Sequence, residues 1–249
     1  MQALLVRCEV PTEIDPASLG RALRNVPFVT ESERERARRY LRPHDTALSL
    51  VSRWVLRNLL SHLVPRPPCT WAFRRSSLGR PQLVGPHAAR LDFNLSHTRG
   101  AVLVGVARDA SIGVDTESTH TKISPETLAP SVLAPSELEA LHAVPPAARR
   151  ECFLRLWTLK ESLLKARGTG LSTEPTSIAF RLTPSIQLRD DASETWRFAS
   201  WRSSSTHFDA VALSSDREAL LPFYRVELPE RFGAPWTWKL RQQHGIFVE

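Results

Sequence analysis

Two short runs of this 249-residue chain carry side chains that can do chemistry together. The first is Gly113-Val114-Asp115-Thr116-Glu117. The second is Trp157-Thr158-Leu159-Lys160-Glu161-Ser162-Leu163-Leu164-Lys165, followed by Gly168, Gly170 and Leu171. The first reads as a strand, where residues two apart share a face. Asp115 and Glu117 then present two carboxylates to one side while Val114 faces the other. The second reads as a helix, which makes Glu161 and Lys165 neighbours one turn apart. A helix laid on that strand face gathers three carboxylates and a lysine. Three oxygen ligands, with room left for water and a substrate phosphate, describe a magnesium site for phosphate chemistry. Each part alone has a plainer reading. Carboxylates two apart end many edge strands, and a Glu–Lys pair one turn apart is a common surface salt bridge of little worth.

The elements that must position these groups follow from periodicity and turn chemistry. Residues 30–42 open with a Thr/Ser cap and glutamates and close with arginines, which suits a helix dipole. A second helix is expected over residues 45–63, with Leu48, Val51, Val55 and Leu59 at helical spacing and Pro65 ending it. Residues 65–86 read as loop plus a short strand near Trp71. Strands are expected at 91–95 and 101–107, with residues 108–111 turning the chain into 112–117 as a hairpin. Residues 118–130 lack clean periodicity. A short helix is expected at 136–143 and a long one at 147–167. Four strands follow, at 177–182, 186–189, 195–201 and 207–213. This mixture of helices and mostly antiparallel strands is an α+β pattern. On the long helix Phe153, Leu156, Trp157 and Leu164 form an apolar stripe, and Lys160 falls inside it. A lysine there either snorkels to water or meets an anion.

Bulk composition narrows the class. Hydrophobic residues are 42% and charged residues 24%, ordinary for a globular chain long enough to bury a core. The start, MQALLVRCEV, breaks its apolar run at Arg7 and Glu9, so it reads as a first strand and not as a signal or spanning segment. Cys8, Cys69 and Cys152 are odd in number and lack metal-ligand spacing, which points away from a disulfide framework and toward a reducing compartment. The net charge of +7 favours anionic partners, yet no nucleic-acid motif or basic tail is present. Only four basic residues are lysines (Lys122, Lys160, Lys165, Lys239) against 29 arginines, and two of the four flank Glu161. Arginine binds phosphate but does not give up a proton, whereas lysine can.

The ordered motifs GVDTE and WTLKESLLKARGTGL, with Glu117 and Glu161 44 residues apart, resemble those of the 4′-phosphopantetheinyl transferases. The spacing is that of the long type, similar to the surfactin synthetase-activating enzyme. Asn94-Leu95-Ser96-His97-Thr98-Arg99-Gly100 resembles the family's Ser-His motif. Leu78-Gly79-Arg80-Pro81 and the basic stretch of residues 34–40 fall in the expected order, so the resemblance covers roughly residues 30–215.

The resemblance implies two pseudo-symmetric halves, each a small, mostly antiparallel sheet packed with helices, with the active site between them. The halves are expected at 1–108 and 109–225, followed by a peripheral extension at 226–249. It implies transfer of the 4′-phosphopantetheine group from coenzyme A to a serine of an apo acyl or peptidyl carrier protein, in the manner of a holo-carrier synthase. Magnesium is expected on Asp115, Glu117 and Glu161. Glu161 is expected to take the serine proton and Lys165 to serve the leaving phosphate, while Ser96, His97 and Lys160 hold the phosphates. Arg36 is the best match for the 3′-phosphate contact, and Arg80-Pro81 for a pair lying along the nucleotide. Glu33 stands where the family often has a second basic residue. A cytoplasmic monomer is expected, with neither nucleic acid nor membrane as partner. Two other readings of the same carboxylates are a metal-dependent phosphohydrolase and an idle carrier-binding module.

Overall fold

A computed structural model describes residues 3–120, 124–169, 172–189 and 195–249, which leaves Lys122, Gly170 and Leu171 outside the described residues. The first half runs β1 (Ala3–Glu9), α1 (Pro16–Asn25), α2 (Glu31–Arg38), α3 (Pro43–Leu63), β2 (Ala72–Arg75), β3 (Pro81–Val84), β4 (Leu91–Thr98) and β5 (Ala101–Arg108). The second runs β6 (Ile112–Ser118), α4 (Pro125–Val132), α5 (Pro135–Ala143), α6 (Pro146–Arg167), β7 (Ala179–Arg181), β8 (Gln187–Arg189), β9 (Trp196–Ser204) and β10 (His207–Ser214). Four short strands close the chain: β11 (Ala219–Leu221), β12 (Phe223–Val226), β13 (Leu240–Gln242) and β14 (Ile246–Val248).

The pseudo-symmetry lies in strand order. In the first half β1 pairs antiparallel with β5, and β5 with β4; in the second β6 pairs with β10, and β10 with β9. Each half is therefore a strand, a helical crossover and a hairpin, with the last strand returning to the middle.

Alternation along the strands sets the layers. Leu4, Val6 and Cys8 of β1, with Val102, Val104 and Val106 of β5, face α3. Ala3, Leu5 and Leu103 point the other way, onto Ile112, Val114, Val211 and Leu213 of the second sheet. The far face of that sheet, with Phe198, Phe208, Ala210 and Ala212, covers α6. The order is helix, sheet, sheet, helix, as sheets apolar on both faces require.

Helix ends follow local chemistry. The Thr30 backbone N–H donates to the Glu33 carboxylate at 2.9 Å, closing the cap of α2. Gly168 ends α6 at φ 71°. No helix among the described residues is long and apolar enough to cross a membrane. Periodicity does not foresee α1 or α4; α1 is set by Asp15, whose side chain caps it at Ser18 N, 2.9 Å.

Two expectations need correction. Residues 108–111 do not form a hairpin: β5 and β6 belong to different sheets, and the chain crosses between layers at Asp109, φ 55°. Residues 226–249 are not peripheral. β12 extends the first sheet in parallel beside β1, and β13 lies beyond it. Trp236 and Trp238 meet Trp54 edge-on at 5.1 and 5.6 Å. Val248 is buried between the sheets, and Glu249 exchanges backbone hydrogen bonds with Phe198 of β9 at 2.9 and 3.1 Å. Tryptophan and valine at these positions bury apolar surface that both cores need.

Candidate active site

Three elements bring the chemistry together: β4 supplies Ser96 and His97, β6 supplies Asp115 and Glu117, and α6 supplies Glu161 and Lys165. Gly113 makes their approach possible. A Cβ there would lie 1.9 Å from the Ser162 carbonyl oxygen and 2.5 Å from the Ala166 nitrogen, so α6 sits directly on the β6 backbone. Alternation then puts Asp115 and Glu117 on the face that α6 covers.

The edge of β6 away from β10 is held by side chains of β4. Asp92 accepts from Ile112 N at 2.9 Å, and Asn94 accepts from Val114 N at 3.1 Å. Ser96 Oγ donates to Asp115 Oδ1 at 2.7 Å. The alternation Leu91, Phe93, Leu95 against Asp92, Asn94, Ser96 signals this arrangement in the sequence, although only Ser96 is picked out there.

Lys165 does not stay with Glu161. Its Nζ reaches off the helix to Asp115 Oδ1 at 2.5 Å and donates to Ser96 Oγ at 3.0 Å. Asp115 Oδ2 is buried and has no hydrogen-bond partner. Trp157 Nε1 donates to Glu117 Oε1 at 3.4 Å. The Glu161 carboxyl is raised by burial and by Asp115, against the pull of Lys165. His97 is exposed to solvent on one side, but the protein around it and the charge of Lys165 hold its imidazole below the ordinary range, and so neutral. Among the described residues, no three His, Cys, Asp or Glu side chains are already gathered as a cation cage.

Burial and the charge of Asp115 push the Glu117 carboxyl up to about 7. A carboxyl raised in the fold favours the folded state fully below its ordinary value of 4.5, and loses that contribution as pH rises through about 7. Cation-free protein is therefore expected to melt at a lower temperature at about pH 8 than at about pH 6. Glu117→Gln should flatten that slope; a slope unchanged by the substitution would place its origin elsewhere.

Beside Lys165 opens a cavity of about 270 Å³, lined by Gly79, Arg80, Pro81, Asn94, Leu164 and Gly168 among others. Pro81 forms part of its wall. The Arg80 guanidinium is already engaged: it donates to the Ala166 carbonyl, to Asp92 at 2.6 Å and to Ile112 O at 3.1 Å, tying α6, β4 and β6 together. Its half-buried head is a brace at the cavity wall, not a free cation.

Lys160 is the clearest correction. Its ammonium is fully buried, 2.6 Å from the equally buried Glu137 carboxylate, and donates to the carbonyls of Pro175 (2.8 Å) and Ile178. Glu137 in turn accepts from Ala134 N and Phe180 N, each at 2.8 Å. A lysine in an apolar stripe here meets an anion inside the second core, where no phosphate reaches it.

Arg36 is exposed on α2. Glu33 does not face outward as a departure in charge: Arg57 Nε grips it at 2.9 Å and Nη2 at 3.1 Å, and Arg53 approaches to 4.0 Å. Arg53 feels the charges of Arg36, Arg57 and Arg75 as well as of Glu33, so it stands among three other arginines and one carboxylate. Arg53 and Arg75 are missed from the sequence because their convergence depends on α3 and β2 meeting in space.

The comparisons agree in direction. The family profile described as "4'-phosphopantetheinyl transferase superfamily" matches residues 111–218, and that described as "4'-phosphopantetheinyl transferase, N-terminal" matches residues 18–109. The 4′-phosphopantetheinyl transferase HetI of Nostoc sp. is 31% identical over 170 residues, 68% of this chain and 71% of its own. A Bacillus subtilis protein named 4′-phosphopantetheinyl transferase is 28% identical over 221 residues, 82% of this chain and 96% of its own. With slr0495 of Synechocystis sp. the identity is 33% over 145 residues, covering 58% of this chain and 59% of that one. From core to site, the chain belongs to the 4′-phosphopantetheinyl transferase superfamily.

Proposed function

We propose that the protein moves the 4′-phosphopantetheine arm of coenzyme A onto a serine of an apo acyl or peptidyl carrier protein, as a holo-carrier synthase does, releasing 3′,5′-bisphosphoadenosine. The observation that carries this reading is the convergence of Ser96, Asp115 and Lys165 within 3.0 Å, with Lys165 also lining a cavity beside them. The raised carboxyls of Glu117 and Glu161 belong to the same constellation.

Magnesium suits the donor set of Asp115, Glu117 and Glu161. All are hard oxygen donors, one oxygen of Asp115 is buried without a partner, and their mutual repulsion is relieved by a cation. When bound, such an ion offsets charge on the pyrophosphate oxygens. Glu161, its carboxyl raised by burial and by the charge of Asp115, is the base for the carrier serine proton. Lys165 is the cation for the leaving phosphate and, unlike an arginine, can give up a proton to it. Neutral His97 and Ser96 offer hydrogen bonds to phosphate oxygens. Arg36, with Arg53 and Arg75 beside it, forms the field for the 3′-phosphate, which answers the loss of a basic residue at Glu33. The protein works as a cytoplasmic monomer without nucleic acid or membrane.

Incubation with coenzyme A, magnesium and several apo carriers, read by intact mass, tests this reading. Addition of one phosphopantetheine group per carrier is expected. A coenzyme A lacking its 3′-phosphate should serve poorly, and Arg36→Ala should narrow that difference. Hydrolysis of coenzyme A with unmodified carriers would instead favour the phosphohydrolase.

A further inference from the structure

The middle of the layer between the two sheets is mainly apolar. Leu5, Leu103, Val114, Val211 and Leu213 fill it. In the same layer stand Arg7 and Asp209, neither with any exposed side-chain surface. Arg7 Nη1 donates to both oxygens of Asp209, at 2.6 and 2.7 Å, and Arg7 Nε donates to Glu9 at 2.9 Å. Thr116 Oγ1 donates to the same Asp209 carboxylate at 2.7 Å.

A buried pair of this kind is a poor source of stability. Desolvating two charges offsets most of their attraction, and well-packed apolar residues do about as well. Its hydrogen bonds supply direction instead. Bonds of fixed length and angle resist sliding of one sheet over the other, which methyl contacts tolerate.

The pair sits where sliding matters. Arg7 lies opposite Leu103 on β5, and Leu103 lies opposite Ser96 on β4. Asp209 lies opposite Thr116 on β6, the residue between Asp115 and Glu117. The row through Arg7 thus ends at Ser96, and the row through Asp209 ends at Thr116, next in the chain to Asp115, which accepts the 2.7 Å bond from Ser96. We propose that Arg7 is a positioning residue whose pair with Asp209 and Thr116 pins the two sheets in the register that holds Ser96 and His97 of one half against Asp115 and Glu117 of the other. The inference rests on the transferase reading and adds to it a role for residues inside the sheet–sheet layer.

The test compares R7M/D209L with the wild type. Exchanging both partners removes the pin without stranding a lone buried charge. At a temperature where circular dichroism shows the variant folded, the kcat of transfer should fall about tenfold or more, with KM for coenzyme A nearly unchanged. Binding of Mn²⁺ in the presence of coenzyme A, read by electron paramagnetic resonance, should weaken by about tenfold as well. A folded R7M/D209L with wild-type kcat and Mn²⁺ affinity overturns the proposal. Should that variant not fold, R7K/D209E keeps a buried ion pair while shifting where its partners meet. The pin requires the same losses there, and wild-type values sink it. A wild-type protein that modifies no carrier speaks against the transferase reading itself, and the Mn²⁺ comparison then still decides the role of Arg7.

Discussion

Lys160→Ala is expected to lower stability by about 3–5 kcal/mol, because it leaves the Glu137 carboxylate buried without its counter-charge. The urea midpoint should drop accordingly, and activity should follow the folded fraction. A lysine that served phosphate would behave otherwise: its loss would raise KM for coenzyme A and leave the midpoint in place. Lys160→Arg should also destabilise, since a planar guanidinium must enter a site with no exposed surface. Lys160→Met combined with Glu137→Leu should recover most of the loss, although Ala134 N and Phe180 N then lack their acceptor. An unchanged midpoint in Lys160→Ala would mean that the ammonium is not buried in solution.

Asp115→Asn is expected to act in the opposite sense, on rate and not on stability. Asp115 is the hub of the site: Ser96 and Lys165 both meet its Oδ1, while its Oδ2 has no partner. Removing the charge should cost transfer about a thousandfold or more, the scale seen when one member of an interdependent set is lost. The fold should hold, because the substitution also relieves repulsion of Glu117. Single-turnover transfer and thermal melting, measured side by side, check both halves of the statement. Loss of activity together with unfolding would recast Asp115 as structural.

The parts of this arrangement that depend on period and local chemistry were legible in the sequence. Asp115 and Glu117 share a face because they are two apart on a strand, and Glu161 and Lys165 share a helix with the stripe beside them. The two-half plan came from the resemblance and appears in the strand order. What depends on distant contacts was not legible. The turn at residues 108–111 looks the same whether the next strand pairs with the last or leaves for another sheet. Lys160 announces that it needs an anion, but nothing near it in the sequence names Glu137. Arg80 carries the motif expected along a nucleotide, yet Asp92 and two backbone carbonyls occupy it. Arginine's several donors let one residue brace three elements, and spacing cannot reveal which partners are in reach.

The tail has a consequence for how the molecule is made. Residues 223–249 shield the edge of β1, cover Trp54 and join the edge of β9. A nascent chain that has emerged only to residue 220 therefore has neither half finished. One sheet still shows a bare edge, and a large aromatic of the core faces water. The first half cannot settle on the ribosome and wait for the second; both must close together once the tail is free. Until then the uncovered strand is open to pairing with a neighbouring chain. Assembly of this fold waits on residues 223–249, and a chain stopped before them is left as two open seams.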